Sequence, residues 1–379
     1  MTDFTRWGLL LVNLGTPDSP EVSDVRRYLR EFLSDPRVLD INPLLRAFLL
    51  NFVILPRRPQ RSAEAYAKIW TPEGSPLLLY GQEVTRAVDA RLGDDVPVEL
   101  AMRYQNPSVE AGLRRLRDQG VDRVVVFPLF PQYSSAAWGS AVEKVMVEAT
   151  RLWDVPSIHV IPPYFEHPAF LRAFAAVARP VLDELDPELV LMSFHGVPER
   201  HCTKSDATGG QHCLRTPDCC DRIVFANRNC YRAQCFATAR GLARELGLEA
   251  NRYEVSFQSR LGRDPWIRPY TDEIIDEIGG RGIRRVAVMS PAFVADCLET
   301  IEELGMELRR EFRERYDGEL VLVPSLNATP GWIDAVMELV TEETPIGARR
   351  GLLMAGAASG AAVRGPGVTT PAGDGGRDA

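Results

Sequence analysis

Along most of the chain, short runs of consecutive apolar residues alternate with longer segments in which apolar positions recur every three or four residues. The runs read as strands buried on both faces, and the periodic segments read as amphipathic helices. The first run, 8–14 (GLLLVNL), leads into a Gly15-Thr16-Pro17 turn and a helix over 22–33. Strands at 98–103, 123–129 and 157–161 then alternate with helices at 108–119, 139–153 and 168–185. A second series has strands at 189–194, 253–258, 285–289 and 320–323, with helices at 234–246, 271–278, 298–315 and 331–340. This alternation predicts parallel α/β architecture. A single β/α barrel also fits the strands, but the long connection after the first strand favours two open sheets with a cleft between them. The Gly/Ala/Pro-rich end, 346–379, reads as a disordered tail.

Two stretches stand out against this pattern. Residues 43–59 (PLLRAFLLNFVILPRRP) are the most apolar segment, and on a helix Phe48, Leu49, Phe52 and Val53 share a face. That face is either core or an exposed lip, flanked by basic residues, suited to a membrane surface or a flat hydrophobic ligand. The second stretch, 290–307 (SPAFVADCLETIEELGME), follows a strand and is read as a helix from Asp296 onward, with Asp296 as N-cap and Glu299 completing a capping box. Glu299, Glu303 and Glu307 then recur every four residues and share one helical face. Such a row is a solvated acidic stripe or a path for cations. Like charges at this spacing, with no Lys or Arg between Asp296 and Glu307, and the position where a parallel strand hands over to its helix both favour the path.

Composition narrows the classes. With 379 residues and 45% hydrophobic content the chain can bury a large core in two domains, and its net charge of −8 argues against nucleic acid as a partner. No apolar run is long enough to span a membrane, and the first seven residues are too short and polar for a signal peptide, so a cytoplasmic, soluble or peripheral protein is expected. Five of the seven cysteines lie between Cys202 and Cys230, with Cys235 just beyond and Cys297 isolated; in a reducing compartment such crowding points to metal before disulfides. No glycine-rich nucleotide motif is present. His195, in SFHGVP at 193–198, ends the fifth strand, where a neutral imidazole can accept a proton; FPQYS at 130–134 ends the third strand similarly.

Taken together, these residues resemble the ferrochelatases, enzymes that insert ferrous iron into a porphyrin. The likeness rests on NLGTP at 13–17, YAKIW at 66–70, GSPL at 74–77, RY at 103–104 and PQYS at 131–134. It continues through SFHGVP, FQSRLG at 257–262, PWI at 265–267 and ADCLE at 295–299. It implies two similar Rossmann-like open-sheet domains enclosing a porphyrin cleft. The first would span 1–165 and receive a returning helix at 331–345; the second would span 166–330, with a cysteine-rich insert at 201–235. The resemblance makes His195 the group that takes pyrrole protons or receives the iron, Glu299 its acidic partner, and Glu303 and Glu307, with Asp296 nearby, a polar track on a widened helix. Leu14, Arg103, Tyr104, Trp266 and Phe293 match positions lining the porphyrin or the metal route. Animal relatives carry a His where this chain has Cys297, and their cluster-bearing C-terminal extension is absent here.

For the insert, the resemblance to bacterial members implies a 2Fe–2S cluster on Cys202, Cys213, Cys219 and Cys220, with Cys230 and Cys235 in reserve. Thiolate softness suits iron–sulfur or zinc, and the adjacent Cys219-Cys220 pair sits poorly in a zinc knuckle. The alternatives are a chelatase for another metal or tetrapyrrole and a non-enzymatic iron–sulfur or zinc sensor. Protoporphyrin IX and coproporphyrin III both remain open as substrates, as does the oligomeric state.

Overall fold

Each apolar run forms a strand because its residues can be buried on both faces of a sheet covered by helices. In the computed structural model, which describes residues 5–260, 262 and 264–344, the strands form two four-stranded parallel sheets. The first sheet contains β1 (Trp7–Gly15), β2 (Val98–Tyr104), β3 (Arg123–Pro128) and β4 (Ser157–Val160), in the order β2-β1-β3-β4. The second contains β5 (Leu189–His195), β6 (Tyr253–Gln258), β7 (Arg285–Met289) and β8 (Glu319–Leu322), in the order β6-β5-β7-β8. The chain has used one topology twice, and the barrel reading is excluded. In each sheet the connections depart in opposite directions from the central pair, β1/β3 and β5/β7, which opens a crevice at their carboxyl ends.

The long connection after β1 holds helices that the periodicity left unassigned, Arg58–Ile69 and Pro76–Leu92. The last helix, Pro330–Glu343, packs on both Pro168–Leu185 and Pro76–Leu92. Its Trp332 is fully buried, with ring contacts to Phe127, Tyr164 and Phe170. The tail read at 346–379 lies outside the described residues.

Two helices differ in kind from the expectation. The apolar segment is a short α-helix, Pro43–Phe48, followed by a π-helical turn, Leu49–Ile54, and it is a surface lip. Leu44, Phe48 and Phe52 are 82%, 55% and 71% exposed, while Leu50 and Leu55 beneath them are buried. The acidic helix starts near Leu298, is π-helical over Glu299–Leu308, and becomes α-helical over Arg309–Tyr316. Asp296 is therefore not its N-cap. The Asp296 carboxylate is buried and accepts hydrogen bonds from Asn327 Nδ2 (2.7 Å), Thr300 Oγ1 (3.0 Å) and the Ser325 N–H (3.2 Å). It anchors the loop that enters the helix.

Candidate active site

The carboxyl ends of both central strand pairs open onto one cavity of about 310 Å³. Its wall includes Asn13, Leu14 and Thr16 from the end of β1, Leu129 and Gln132 beyond β3, His195 at the end of β5, and Phe293 beyond β7. Tyr28, Leu29, Phe32 and Leu33, all from one face of the helix Val22–Ser34, make the opposite side apolar. An apolar slot with a few converging polar groups is the form of a small-molecule site.

His195 is held by its own strand. Its Nδ1 lies 2.6 Å from the Gly196 carbonyl oxygen. A carbonyl can only accept, so Nδ1 carries a proton, and in the neutral ring the lone pair is at Nε2. The Phe293 ring stands edge-on to the imidazole, with centroids 6.4 Å apart. Gly196 must be glycine, because a Cβ there would meet the Gln258 carbonyl at 2.9 Å and the Trp266 ring at 3.1 Å. That close approach seats Trp266 on the wall. Gln258 pairs with His195 across the β5–β6 register, and its Nε2 donates to the Glu299 carbonyl at 3.1 Å. Gln258 thus ties the end of β5 to the start of the acidic helix.

Of the carboxylates in the row, Glu299 and Glu303 line the cavity, while Glu307 and Asp296 do not. Glu307 lies one step further along the π-helix, outside the cavity lining. Burial, and then the Glu299 charge, push the Glu303 carboxyl up to about 7, although Ser259 Oγ donates to it. A further acid of this helix, Glu302, is not on the cavity wall and is paired with Lys68 Nζ from the helix Arg58–Ile69, at 2.5 Å. The Cys297 thiol lines the cavity, and burial followed by the neighbouring Glu299 charge holds it well above the usual thiol range.

Leu14, Trp266 and Phe293 lie on the wall; Arg103 and Tyr104 do not. They form a buried network behind it. Arg103 Nη2 pairs with Asp35 Oδ2 at 2.5 Å, and Tyr104 Oη donates to the same oxygen at 2.9 Å. Burial alone would raise Asp35, but these bonds, with those from Ser140 and the Arg37 N–H, hold it below the usual carboxylate range. Tyr104 reaches the cavity only through Phe32, which it meets edge-on at 5.2 Å. Sequence reasoning missed the apolar helix face and the two arginines of the wall, Arg58 and Arg200. Leu29 and Leu33, four apart, read equally well as core.

The cysteine insert folds around two polar side chains. The Asp206 carboxylate accepts the N–H groups of Thr208, His212 and Cys213 at 2.8, 2.8 and 2.7 Å, and Asn227 Nδ2 donates to the Cys219 and Arg222 carbonyls. Cys202, Cys213, Cys219, Cys220 and Cys230 are free and buried together. Cys230, held in reserve by the sequence reading, is central. The thiols of Cys202, Cys213 and Cys220 gather on it and hold it far below its ordinary value, while they are themselves pushed up. Cys219 Sγ lies 3.7 Å from Cys220 Sγ, and Arg232 Nη1 lies 3.1 Å from Cys220 Sγ. Cys235 is buried in its helix and packs as an apolar residue.

The ferrochelatase family pattern matches residues 6–344. The ferrochelatase of Azotobacter vinelandii is 48% identical over 342 residues, covering 89% of this chain and 98% of that protein. That of Coxiella burnetii (strain RSA 493 / Nine Mile phase I) is 46% identical over 333 residues, covering 88% and 92%. Among solved structures, the sirohydrochlorin chelatase SirB from Bacillus subtilis subspecies spizizenii, in complex with cobalt, has a TM-score of 0.51 at 11% identity. It covers 89% of this chain and 95% of its own, and shares the fold. With the duplicated sheet and the cleft between its halves already in place, these matches over almost the whole described chain put it in the ferrochelatase family.

Proposed function

We propose that the porphyrin lies in this cleft with its pyrrole nitrogens toward His195, and that His195 and Glu299 handle the exchange of protons for iron. The chain is a ferrochelatase, a lyase of haem biosynthesis whose substrates are a porphyrin and ferrous iron. Insertion of one Fe²⁺ releases the two pyrrole N–H protons, so a base must stand at the macrocycle. The observation that carries the reading is the fixed tautomer of His195: with Nδ1–H committed to Gly196, Nε2 is left to accept a proton from the cleft side. Glu299 and Glu303 supply carboxylates beside it for a cation or for the departing protons. The apolar wall favours protoporphyrin IX over the more polar coproporphyrin III. An anaerobic insertion assay with ferrous iron and each porphyrin tests this. Faster turnover of coproporphyrin III would reverse the substrate assignment.

Glu303 makes a pH prediction. Its folded pKa lies above the unfolded value, so the folded state holds the extra proton between the two and loses stability as pH rises through about 7. Glu303→Gln removes that penalty. The variant is expected to melt higher than wild type at pH 8 and to show no advantage at pH 4.5. An equal difference at both pH values would rule out this origin.

We further propose that the protein works in the cytoplasm as a peripheral membrane binder. No helix among the described residues is long and apolar enough to cross a membrane. The exposed lip supports surface binding: the Phe48 and Phe52 ring centroids lie 5.3 Å apart, tilted to one another, and Arg57 and Arg58 follow the lip in the chain. Replacing Phe48, Leu49 and Phe52 together with Ser is expected to abolish most flotation with anionic liposomes. Wild type that stays unbound at low and high salt alike would refute membrane binding.

The insert fits a 2Fe–2S cluster. Its donors are soft thiols, buried, with an arginine beside one of them. A single tetrahedral zinc needs four sulfurs mutually about 3.8 Å apart, from Zn–S bonds of about 2.3 Å. Among the described residues no three of these sulfurs lie mutually within 4.8 Å, so the nest is not preset as a tetrahedral zinc site. Cys202, Cys213, Cys220 and Cys230 are the proposed ligands, with Cys230 replacing Cys219 in the expected set. When bound, such a cluster supplies structural cross-linking and one-electron redox chemistry. The insert's own residues hold the thiols together and exclude water from them.

A further inference from the structure

Among the described residues, Arg58 and Arg200 are the only Lys or Arg side chains on the cleft wall. Arg200 lies on the short helix Glu199–Lys204, immediately after the turn that follows His195. Its guanidinium is shared between two carboxylates. Nε meets Asp40 Oδ1, and Nη1 meets Asp264 Oδ2 at 2.6 Å. The two sides are unequal. Asp40 is 13% exposed and also takes Lys204 Nζ at 2.7 Å, with His201 Nε2 at 3.5 Å, so it is a firm partner. Asp264 is 57% exposed, and an ion pair to so open a carboxylate is weakly held. Arg200 thus has one fixed side and one exchangeable side, and the exchangeable side is at the cleft.

A porphyrin is a flat apolar disc whose ionised propionates need water or a cation. A ring seated against Leu29, Leu33, Leu39 and Phe293 of the cleft wall would leave the carboxylates for the charged part of that wall. We propose that Arg200 reads one porphyrin carboxylate by exchanging Asp264 for it, while Asp40 keeps the guanidinium in place. The planar fork of a guanidinium accepts a carboxylate through two parallel N–H bonds, and an arriving propionate offers the same group that Asp264 now presents. No bond is made or broken, and charge is conserved: the substrate carboxylate enters the pair as Asp264 turns to solvent.

The inference rests on the cleft being the porphyrin site, so the test compares protoporphyrin IX with its dimethyl ester, which has the same ring and no charge. Dissociation constants come from quenching of protein fluorescence. Wild type is expected to prefer the diacid. Arg200→Gln should weaken the diacid about tenfold, as for a lost hydrogen bond to a charged group, and leave the ester unchanged. Asp264→Asn, which removes the competitor, should tighten the diacid and again leave the ester alone. Arg200→Gln that weakens diacid and ester equally would make Arg200 a strut between Asp40 and Asp264, and unchanged diacid binding would remove it from recognition; either result overturns the proposal. Wild type that binds neither porphyrin would overturn the porphyrin reading of the cleft as well.

Discussion

His195→Ala is expected to insert iron at least about 10²-fold more slowly than wild type, the usual cost of a lost general base. The loss should appear in kcat, with porphyrin affinity nearly unchanged, because the imidazole is one small part of an apolar wall that supplies most of the binding. Glu299→Gln should fall by a similar factor. The backbone carbonyl of Glu299 that receives Gln258 survives the substitution, so the helix start stays in place and the variant reports on the carboxylate alone. Glu303→Gln should cost less, since Glu299 remains beside it. Near-normal kcat in purified, folded His195→Ala would take the imidazole out of the chemistry. A rise in KM without a fall in kcat would make it a binding residue only.

The second large effect concerns the insert. Wild type purified without oxygen is expected to be red-brown and to hold about two iron and two sulfide per chain. Cys230→Ser should be colourless, because the other three proposed ligands are gathered on that thiol. Cys219→Ser should keep its colour. The pair of variants separates the two ligand sets: loss of colour in Cys219→Ser with retention in Cys230→Ser would restore the set read from spacing. A colourless wild type holding one zinc would end the cluster assignment altogether. None of these readouts depends on turnover, so they stand apart from the outcome at His195.

The sequence by itself determined the strands, and therefore the fold class. Runs such as GLLLVNL can be buried only inside a covered sheet, and the boundaries of Pro168–Leu185 and Tyr253–Gln258 coincide with the periodicity. It also marked His195, because a polar group at the end of a buried parallel strand has few structural reasons to be there. Local pattern could not decide what depends on which surfaces meet. Leu50 and Phe52 look alike in the chain, yet one is 3% and the other 71% exposed, since only the neighbouring helices determine which face is covered. Four-residue spacing placed Glu307 with Glu299 and Glu303, but the cavity wall takes in only the first two, because the extent of the cleft is set by the segments packed around the helix. Arg103 and Tyr104 were drawn away from the cleft by Asp35, some seventy positions distant along the chain. Cys230 became the centre of its nest because Asp206 and Asn227 fold the insert back on itself. Hydrophobic burial is written locally in the chain, residue by residue; which polar groups finally meet depends on contacts between distant segments, and those exist only once the sheets have packed.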